Sequence, residues 1–184
     1  NTTDTDNTAV GYNALTSAAG AYYTVGVGTY AGEALTTGVG NTFVGYSAGK
    51  ATTTSADNTA VGTSALAANT TGDQNVAVGS NALDANTTGR NNIAVGKDAL
   101  GVNTTGDANL AIGVAALDAN TTGDYNLGLG YGALSGNTTA SNNTAVGYLA
   151  GVAITTGGDN TAIGKSALAA MTTGDNAVAI GVST

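Results

Sequence analysis

Hydrophobic and polar positions repeat along this chain with a fixed period of seventeen residues. Residues 58 to 74 read NTAVGTSALAANTTGDQ, and residues 75 to 91 repeat the unit as NVAVGSNALDANTTGRN. A glycine that follows a large aliphatic residue marks the same point of every unit: Gly11, Gly28, Gly45, Gly62, Gly79, Gly96, Gly113, Gly130, Gly147, Gly164 and Gly181. No insertion or deletion interrupts the series. Self-similarity at a fixed period predicts a repeat architecture in which successive units stack.

The three residues before this anchor glycine predict a short β-strand. In Val76-Ala77-Val78 a large residue is followed by a small one and then by a large aliphatic one, and most units share this order. Alternation with period two places the large side chains on one face of a strand and the small one on the other. We expect the large residues to be buried. The small column then faces outward, either as an exposed strand face or as a close contact between subunits.

A second apolar position lies four residues after the anchor glycine, where most units have leucine, as at Leu66. Glycine replaces it in three units, at Gly32, Gly49 and Gly151. In two of these an aliphatic residue, Leu35 or Ile154, appears three positions later, where regular units have Asn. Close-packed interiors tolerate exchanges that preserve volume. We therefore predict one interior slot that is filled from either of two positions.

Asparagine stands four residues before the anchor glycine in nine units: Asn7, Asn41, Asn58, Asn75, Asn92, Asn109, Asn126, Asn143 and Asn160. In stacked coils these residues would lie about 4.8 Å apart. Side-chain amides at that spacing can hydrogen-bond along the column, as in cross-β ladders. We interpret the column as a structural ladder and not as a ligand site.

The segment Asn-Thr-Thr-Gly-Asp, seen at residues 69 to 73, has the composition of a turn. The asparagine side chain can bond nearby backbone, and we expect the glycine to supply a positive φ. Each coil is therefore predicted to contain two short strands and two turns. A glycine about every eight residues leaves no stretch long enough for a stable helix.

Together these patterns predict an all-β fold, a parallel β-solenoid or β-roll of about eleven coils and roughly 50 Å in length. Residues 1 to 184 form one continuous array, because Asn1-Thr2-Thr3 is already in phase with Asn69-Thr70-Thr71. The array is cut within a unit at both ends. We interpret it as an excerpt of a longer fibre or as a subunit that stacks end to end.

Composition excludes several classes of function. The chain has no histidine and no cysteine, so catalytic triads, Cys-His sites and the usual zinc sites cannot be built. The aspartates scatter over several positions of the unit and are too few for repeated calcium sites. A net charge of −8 with four basic residues argues against nucleic acid, and no apolar run is long enough for membrane insertion. We expect no enzyme activity and no metal or cofactor.

Tyrosines are the candidate binding residues. Four share the position just after the anchor glycine: Tyr12, Tyr46, Tyr131 and Tyr148. Three more, Tyr22, Tyr23 and Tyr30, lie in or just after the most irregular stretch, AAGAYYTVGVG. Exposed tyrosines at these positions could stack on a surface glycan or contact a receptor. The alternative is that they serve packing or cap the irregular unit.

The stretches NTAVGYNAL at residues 7 to 15 and NTAVGYL at residues 143 to 149 resemble the head repeats of YadA-like trimeric autotransporter adhesins. With the NTTGD junction they are also similar to the tandem repeats of some phage tail fibres. The resemblance implies a left-handed parallel β-roll, three chains packed side by side, and an extracellular place on a cell surface or virion. The adhesin unit is usually shorter than seventeen residues.

We therefore expect a non-catalytic, structural or adhesive fibre protein that forms homo-oligomers, with a homotrimer as the first possibility. The first alternative is a self-assembling extracellular filament in which solenoid ends stack. The second is an ice-binding protein that uses the Thr-Thr ladder. Adjacent residues of a strand point to opposite faces, so Thr-Thr is expected to present only one outward column.

Overall fold

The computed structural model describes residues 6–184 and shows an all-β protein. Within this part of the chain, eleven parallel strands of three residues each form one sheet, ordered as in the sequence, and no helix is present. The strands are β1 (Thr8–Val10), β2 (Val25–Val27), β3 (Thr42–Val44), β4 (Thr59–Val61), β5 (Val76–Val78), β6 (Ile93–Val95), β7 (Leu110–Ile112), β8 (Leu127–Leu129), β9 (Thr144–Val146), β10 (Thr161–Ile163) and β11 (Val178–Ile180).

Like residues lie above one another throughout the sheet. Val61 pairs with Val78, and Val78 pairs with Val95, each seventeen residues further along the chain. The fold is therefore a parallel β-solenoid of stacked seventeen-residue coils, which confirms the predicted fold class. The first five residues of the predicted array, Asn1 to Thr5, lie outside the described part of the chain.

The strands face the opposite way from the prediction. The small middle residue of the strand is buried, with Ala77, Ala94 and Ala111 fully inaccessible, whereas the large residues on either side of it point outward. The reason is the narrow interior, which leucines from the opposite wall already fill. A Cβ placed on Gly26 would lie 2.7 Å from Cγ of Leu15. Only glycine or alanine fits opposite these leucines in most coils.

The prediction of a second strand in each coil is also wrong. The second and fourth residues after the anchor glycine have a positive φ, for example Ser64 and Leu66, both at 55°. β-strands require negative φ values, so this half of the coil is a series of turns. Its backbone still bonds to the next coil, because the N–H of Leu66 donates to the carbonyl of Ala82 at 2.9 Å.

The interior slot behaves as predicted in two irregular coils, where Leu35 and Ile154 are fully buried. In the third, the slot beside Gly49 is filled by a residue from the strand. Phe43, which replaces the small residue of β3, is fully buried, and its ring occupies the space that a Cβ on Gly49 would need. A Cβ on Gly32 would also lie 2.7 Å from the ring of Phe43. The ring of Phe43 thus fills the slot of its own coil and also packs against the neighbouring coil, whose slot Leu35 fills.

Two buried asparagine ladders run along the solenoid. In the predicted column the N–H of Asn75 donates to Oδ1 of Asn58 at 2.9 Å, and its Nδ2 donates to the carbonyl of Gly89 at 2.9 Å. The second ladder joins the asparagines that precede the threonines, with Nδ2 of Asn86 donating to Oδ1 of Asn69 at 3.0 Å. The first ladder lies in the predicted column, but its regular rung joins a backbone N–H to an amide oxygen, and amide-to-amide bonds occur at only three of its rungs. Amide-to-amide bonds are the rule in the second ladder, which was expected to be only turn chemistry. In both ladders the buried amide groups are hydrogen-bonded, and leaving them without partners would cost free energy.

The glycine after the two threonines was predicted to supply a positive φ, and this is wrong. Gly72 and Gly89 are absent from the residues with positive φ, which instead include Gln74 and Asn91 two residues later. Glycine is needed here for space. A Cβ on Gly89 would lie 2.5 Å from Oδ1 of Asn86 and 2.5 Å from the carbonyl of Gly106.

Candidate functional site

Neither a metal-binding cluster nor a membrane-spanning helix distinguishes residues 6–184. This part of the chain contains no group of three or more acidic, histidine or cysteine residues close enough to hold a metal ion. It also contains no helix that could cross a membrane. The features that distinguish the surface are two outward-facing sets of side chains, one on the sheet and one at the turn beside it.

The first set, here called the sheet face, consists of the first and third residues of each strand from β1 to β11. These side chains form two straight columns because every strand has the same length and pairs in register with its neighbours. None of them is charged. The polar members are Thr8, Thr42, Thr59, Thr144 and Thr161, which lie in coils towards the two ends. Every other member is Val, Ile or Leu.

The centre of the sheet face is entirely aliphatic. Four successive coils present only the following residues: Val76, Val78, Ile93, Val95, Leu110, Ile112, Leu127 and Leu129. Ile93, Ile112 and Leu129 keep 38–40% of their surface exposed although neighbouring coils cover them from both sides. Exposed large aliphatic side chains in a contiguous patch mark sites of association in soluble proteins.

The size of the sheet face follows from the geometry of a β-sheet. Eleven strands at about 4.8 Å and three residues at about 3.3 Å give a strip of roughly 50 by 10 Å, or about 500 Å². The largest apolar patch on an ordinary monomer is about 300–600 Å² and is often functional. The whole strip is of that size, although it includes five threonines. Its entirely aliphatic centre of four coils covers about 190 Å².

The second set, here called the tyrosine patch, consists of Tyr12, Tyr30 and Tyr46. Tyr12 and Tyr46 follow anchor glycines, where the chain turns away from the sheet, and Tyr30 stands one position later in the coil between them. The Tyr30 ring is 5.6 Å from that of Tyr12 and 6.0 Å from that of Tyr46, with interplanar angles of 81° and 78°. Edge-to-face contacts of this kind are favourable. The outer rings remain largely exposed, at 66% for Tyr12 and 54% for Tyr46.

An ion pair borders the tyrosine patch. Nζ of Lys50 lies 4.8 Å from the centre of the Tyr30 ring and 3.6 Å from Oε2 of Glu33. Oε1 of Glu33 accepts a hydrogen bond from Nδ2 of Asn13 at 3.3 Å. Sequence reasoning missed this pair, although its signal is plain: Glu33 and Lys50 are seventeen residues apart, so stacking brings them together.

The remaining predicted tyrosines divide into two groups. Tyr131 and Tyr148 are stacked on each other, with ring centres 5.4 Å apart and an interplanar angle of 14°. Tyr22 and Tyr23 precede β2 and are exposed, and the described residues give neither of them an aromatic partner. The structure thus joins Tyr30 to Tyr12 and Tyr46, and separates it from the two tyrosines beside it in the irregular unit. Tyr125, which occupies the same position of the unit as Tyr23, is also exposed and was not predicted.

The aspartates show opposite pKa shifts according to their surroundings. Desolvation by partial burial raises the pKa of Asp84 and of Asp118. The side chain of Asp98 accepts hydrogen bonds from Lys97 and then from Asn81, and these lower its pKa. Nζ of Lys97 lies 2.9 Å from Oδ2 of Asp98. These shifts make the stability of the folded protein depend on pH.

The threonine columns present one hydroxyl column, as expected. In every pair from Thr36 to Thr155 the first threonine donates its hydroxyl to the next coil, as Oγ1 of Thr104 does to the carbonyl of Thr121 at 3.0 Å. The second, such as Thr105, is exposed. A single exposed column is a weaker match to an ice lattice than a flat face with two. The asparagines of the five Asn-Thr-Thr sequons from Asn69 to Asn137 are buried, as at Asn103, whereas Asn142 of the sequon Asn142-Asn143-Thr144 is exposed.

Comparison of the chain with protein-family models, with curated proteins and with solved structures finds no match. The fold and its surface define the class: a β-solenoid protein with an uncharged apolar sheet face and a cluster of tyrosines beside it.

Proposed function

We propose that this protein is a non-catalytic structural and adhesive component of an extracellular fibre, of the phage tail-fibre or trimeric-adhesin kind, on a cell surface or virion. The observation that carries the proposal is the aliphatic centre of the sheet face. The solenoid supplies a stiff rod, and the sheet face supplies a lateral contact with further copies of the same chain.

Rigidity follows from the bonds that link each coil to the next. Besides the strand pairs, two asparagine ladders and one threonine ladder connect successive coils, for instance through Asn75, Asn86 and Thr104. The asparagine rungs are buried and therefore shielded from competing water. A rod with several parallel hydrogen-bond columns resists bending, which is what a fibre shaft requires.

Lateral association is supported by the composition and size of the sheet face. A homotrimer would bring three sheet faces together around one axis and remove the exposed side chains of Ile93, Ile112 and Leu129 from water. Stable interfaces bury about 800 Å² per partner, and the strip alone offers about 500 Å². The contact must therefore include the residues that flank the strip, or it must extend along a longer array.

Sedimentation velocity on Ile112→Lys tests the proposal, with Val102→Lys as the matched control. Ile112 is 38% exposed and lies on the sheet face, whereas Val102 is 45% exposed and lies outside it. We expect a discrete trimer for the unchanged chain and for Val102→Lys. Ile112→Lys should be a folded monomer, because three buried ammonium groups would face each other.

The other outcomes separate the alternatives. Polymers of indefinite length that Ile112→Lys does not dissolve would support the filament alternative, in which solenoid ends stack. An unchanged chain that stays monomeric at concentrations of tens of micromolar would contradict lateral assembly. Electron microscopy of stained particles distinguishes long filaments from short bundles.

A further inference from the structure

We propose that the tyrosine patch is a binding subsite for an uncharged glycan chain that lies along the rod. This inference rests on the proposed adhesive function and names the chemistry of one contact. The subsite consists of Tyr12, Tyr30 and Tyr46 with the ion pair of Lys50 and Glu33 at its border.

The rings are held in place before any ligand arrives. Tyr30 lies edge-to-face between two other rings, at 5.6 and 6.0 Å, and Lys50 covers it from 4.8 Å. These contacts restrict the rotamers of Tyr30, and a tyrosine side chain has few rotamers to lose on binding. A preorganised aromatic surface binds with a smaller loss of conformational entropy than a mobile one.

The exposed parts of the patch suit sugar rings. Tyr12 and Tyr46 leave more than half of their surface to solvent, so their ring faces can accept the apolar C–H face of a pyranose. The negative face of an aromatic ring attracts the partly positive hydrogens of such groups. Tyrosine hydroxyls at the rim can donate and accept hydrogen bonds.

The ion pair of Lys50 and Glu33 at the border of the tyrosine patch can orient a bound sugar. Glu33 is held by Asn13 at 3.3 Å and by Lys50 at 3.6 Å, which fixes its carboxylate beside the rings. A fixed carboxylate and ammonium can together receive the adjacent hydroxyls of a sugar. Because they neutralise each other, and because the whole chain carries a net charge of −8, an uncharged glycan fits better than a sulfated or carboxylated one.

The length of the patch also agrees with a glycan. Tyr12 and Tyr46 are two coils apart, which corresponds to about 9.6 Å along the rod. This is close to the length of two linked pyranose rings. The area of three tyrosines and one ion pair is far below the roughly 800 Å² that each partner buries in a stable protein interface. An oligosaccharide parallel to the rod would place successive rings near successive tyrosines.

The experiment compares the double variant Tyr12→Ala/Tyr46→Ala with the control Tyr23→Ala/Tyr125→Ala. The control removes two tyrosines of equal exposure, at 66% and 65%, that belong neither to the patch nor to another aromatic contact. Affinity electrophoresis of the full chain through gels that contain laminarin, mannan, hydroxyethylcellulose or soluble glycol chitin measures binding. Heparin and alginate provide the anionic arm, and thermal unfolding verifies that each variant folds.

We expect retardation by at least one uncharged polysaccharide, a loss of about tenfold or more in affinity for the patch variant, and no change for the control. Absence of binding to all uncharged probes would overturn the proposal. So would binding to the anionic probes alone, or an equal loss in both variants. Sedimentation velocity of the unchanged chain separates the two proposals: glycan binding by an unchanged chain that stays monomeric keeps the subsite without the fibre, and a trimer that binds no glycan keeps the fibre without the subsite.

Discussion

At the residue scale, the anchor glycines are the positions at which the fold tolerates least change. Each has a φ between 125° and 140°, a region that side chains rarely adopt. In Gly96 a Cβ would also lie 2.5 Å from the carbonyl of Gly113 in the next coil. Both conformation and space therefore demand glycine, and this explains why the anchor never varies over eleven units.

Gly96→Ala should consequently destabilise the protein by about 2 kcal/mol or more, from backbone strain and the displacement of the next coil. Gly101→Ala is the control. Its Cβ would meet nothing closer than 3.3 Å, its φ is not positive, and Ala67 and Ala169 occupy the same position in other units. We expect the control to be neutral or to gain about 0.4–1 kcal/mol. Urea unfolding measures both, and equal losses would contradict the argument.

The pKa of Asp118 predicts how stability depends on pH. Burial raises this pKa in the folded protein, so the favourable contribution of the protonated carboxyl is complete below about pH 4 and is lost as pH rises through the folded pKa. Asp118→Asn should be more stable than the unchanged chain at pH 7, and the difference should vanish at pH 3. Chemical denaturation at the two pH values measures the change.

Asp98 provides the opposite control, because its pKa is lowered by Lys97 and Asn81. Its contribution to stability is present at neutral pH and is lost as pH falls through the folded pKa. Asp98→Asn should therefore be slightly less stable than the unchanged chain at pH 7 and equal to it in acid. If both variants shift in the same direction, the assigned causes are wrong.

At the element scale, the repeat defines where each strand lies but not which way it faces. The period and the alternation of large and small residues located β5 and β6 correctly. The direction depends on the width of the coil, which Leu66 and its equivalents restrict from the opposite wall at a positive φ of about 50°. Leucine is not a residue that signals positive φ, so neither the turns nor the inverted strand was accessible from sequence. By contrast, pairs seventeen residues apart, such as Glu33 and Lys50, were predictable once stacking was assumed.

Substitutions at Phe43 and Gly49 test whether a strand residue and a turn residue fill the same interior slot. Phe43→Ala should cost about 3–5 kcal/mol because it empties a fully buried position. Gly49→Leu alone should also destabilise, since the ring fills the space. The double variant restores the Ala and Leu of the regular unit, so we expect it to recover more than half of the loss.

A double-mutant cycle from urea unfolding gives the coupling energy of this pair. Because the two positions share one cavity, we expect a coupling energy of about 1–3 kcal/mol. The double variant should be more stable than the sum of the two single effects predicts. Additive effects would show that the two side chains do not compete for one slot.

At the scale of the whole molecule, the protein is a linear stack in which each coil contacts only its neighbours. Stability is then close to a sum over coils and their interfaces. Deletion of residues 75–91 removes one complete unit and rejoins Gln74 to Asn92 in phase. The shortened protein should fold with little change in melting temperature and a rod shorter by about 4.8 Å.

Deletion of residues 75–92, one residue more, leaves a coil that cannot align its strand and its turns with both neighbours. We expect a clear loss of stability and a broader unfolding transition. Small-angle scattering gives the length of each rod and circular dichroism gives its melting curve. Equal behaviour of the two deletions would show that the seventeen-residue register is not required.

The coil-to-coil ladders determine how such a rod responds to mechanical load. The covalent chain winds around the long axis, so tension applied to the two termini is carried between coils by hydrogen bonds such as those of Asn86 and Thr104. One coil spans about 4.8 Å when wound, and its seventeen residues reach roughly 58 Å when drawn out. Under tension, a fibre built from this chain would therefore unwind one coil at a time from its ends. The added length would absorb a sudden pull without breaking the covalent chain.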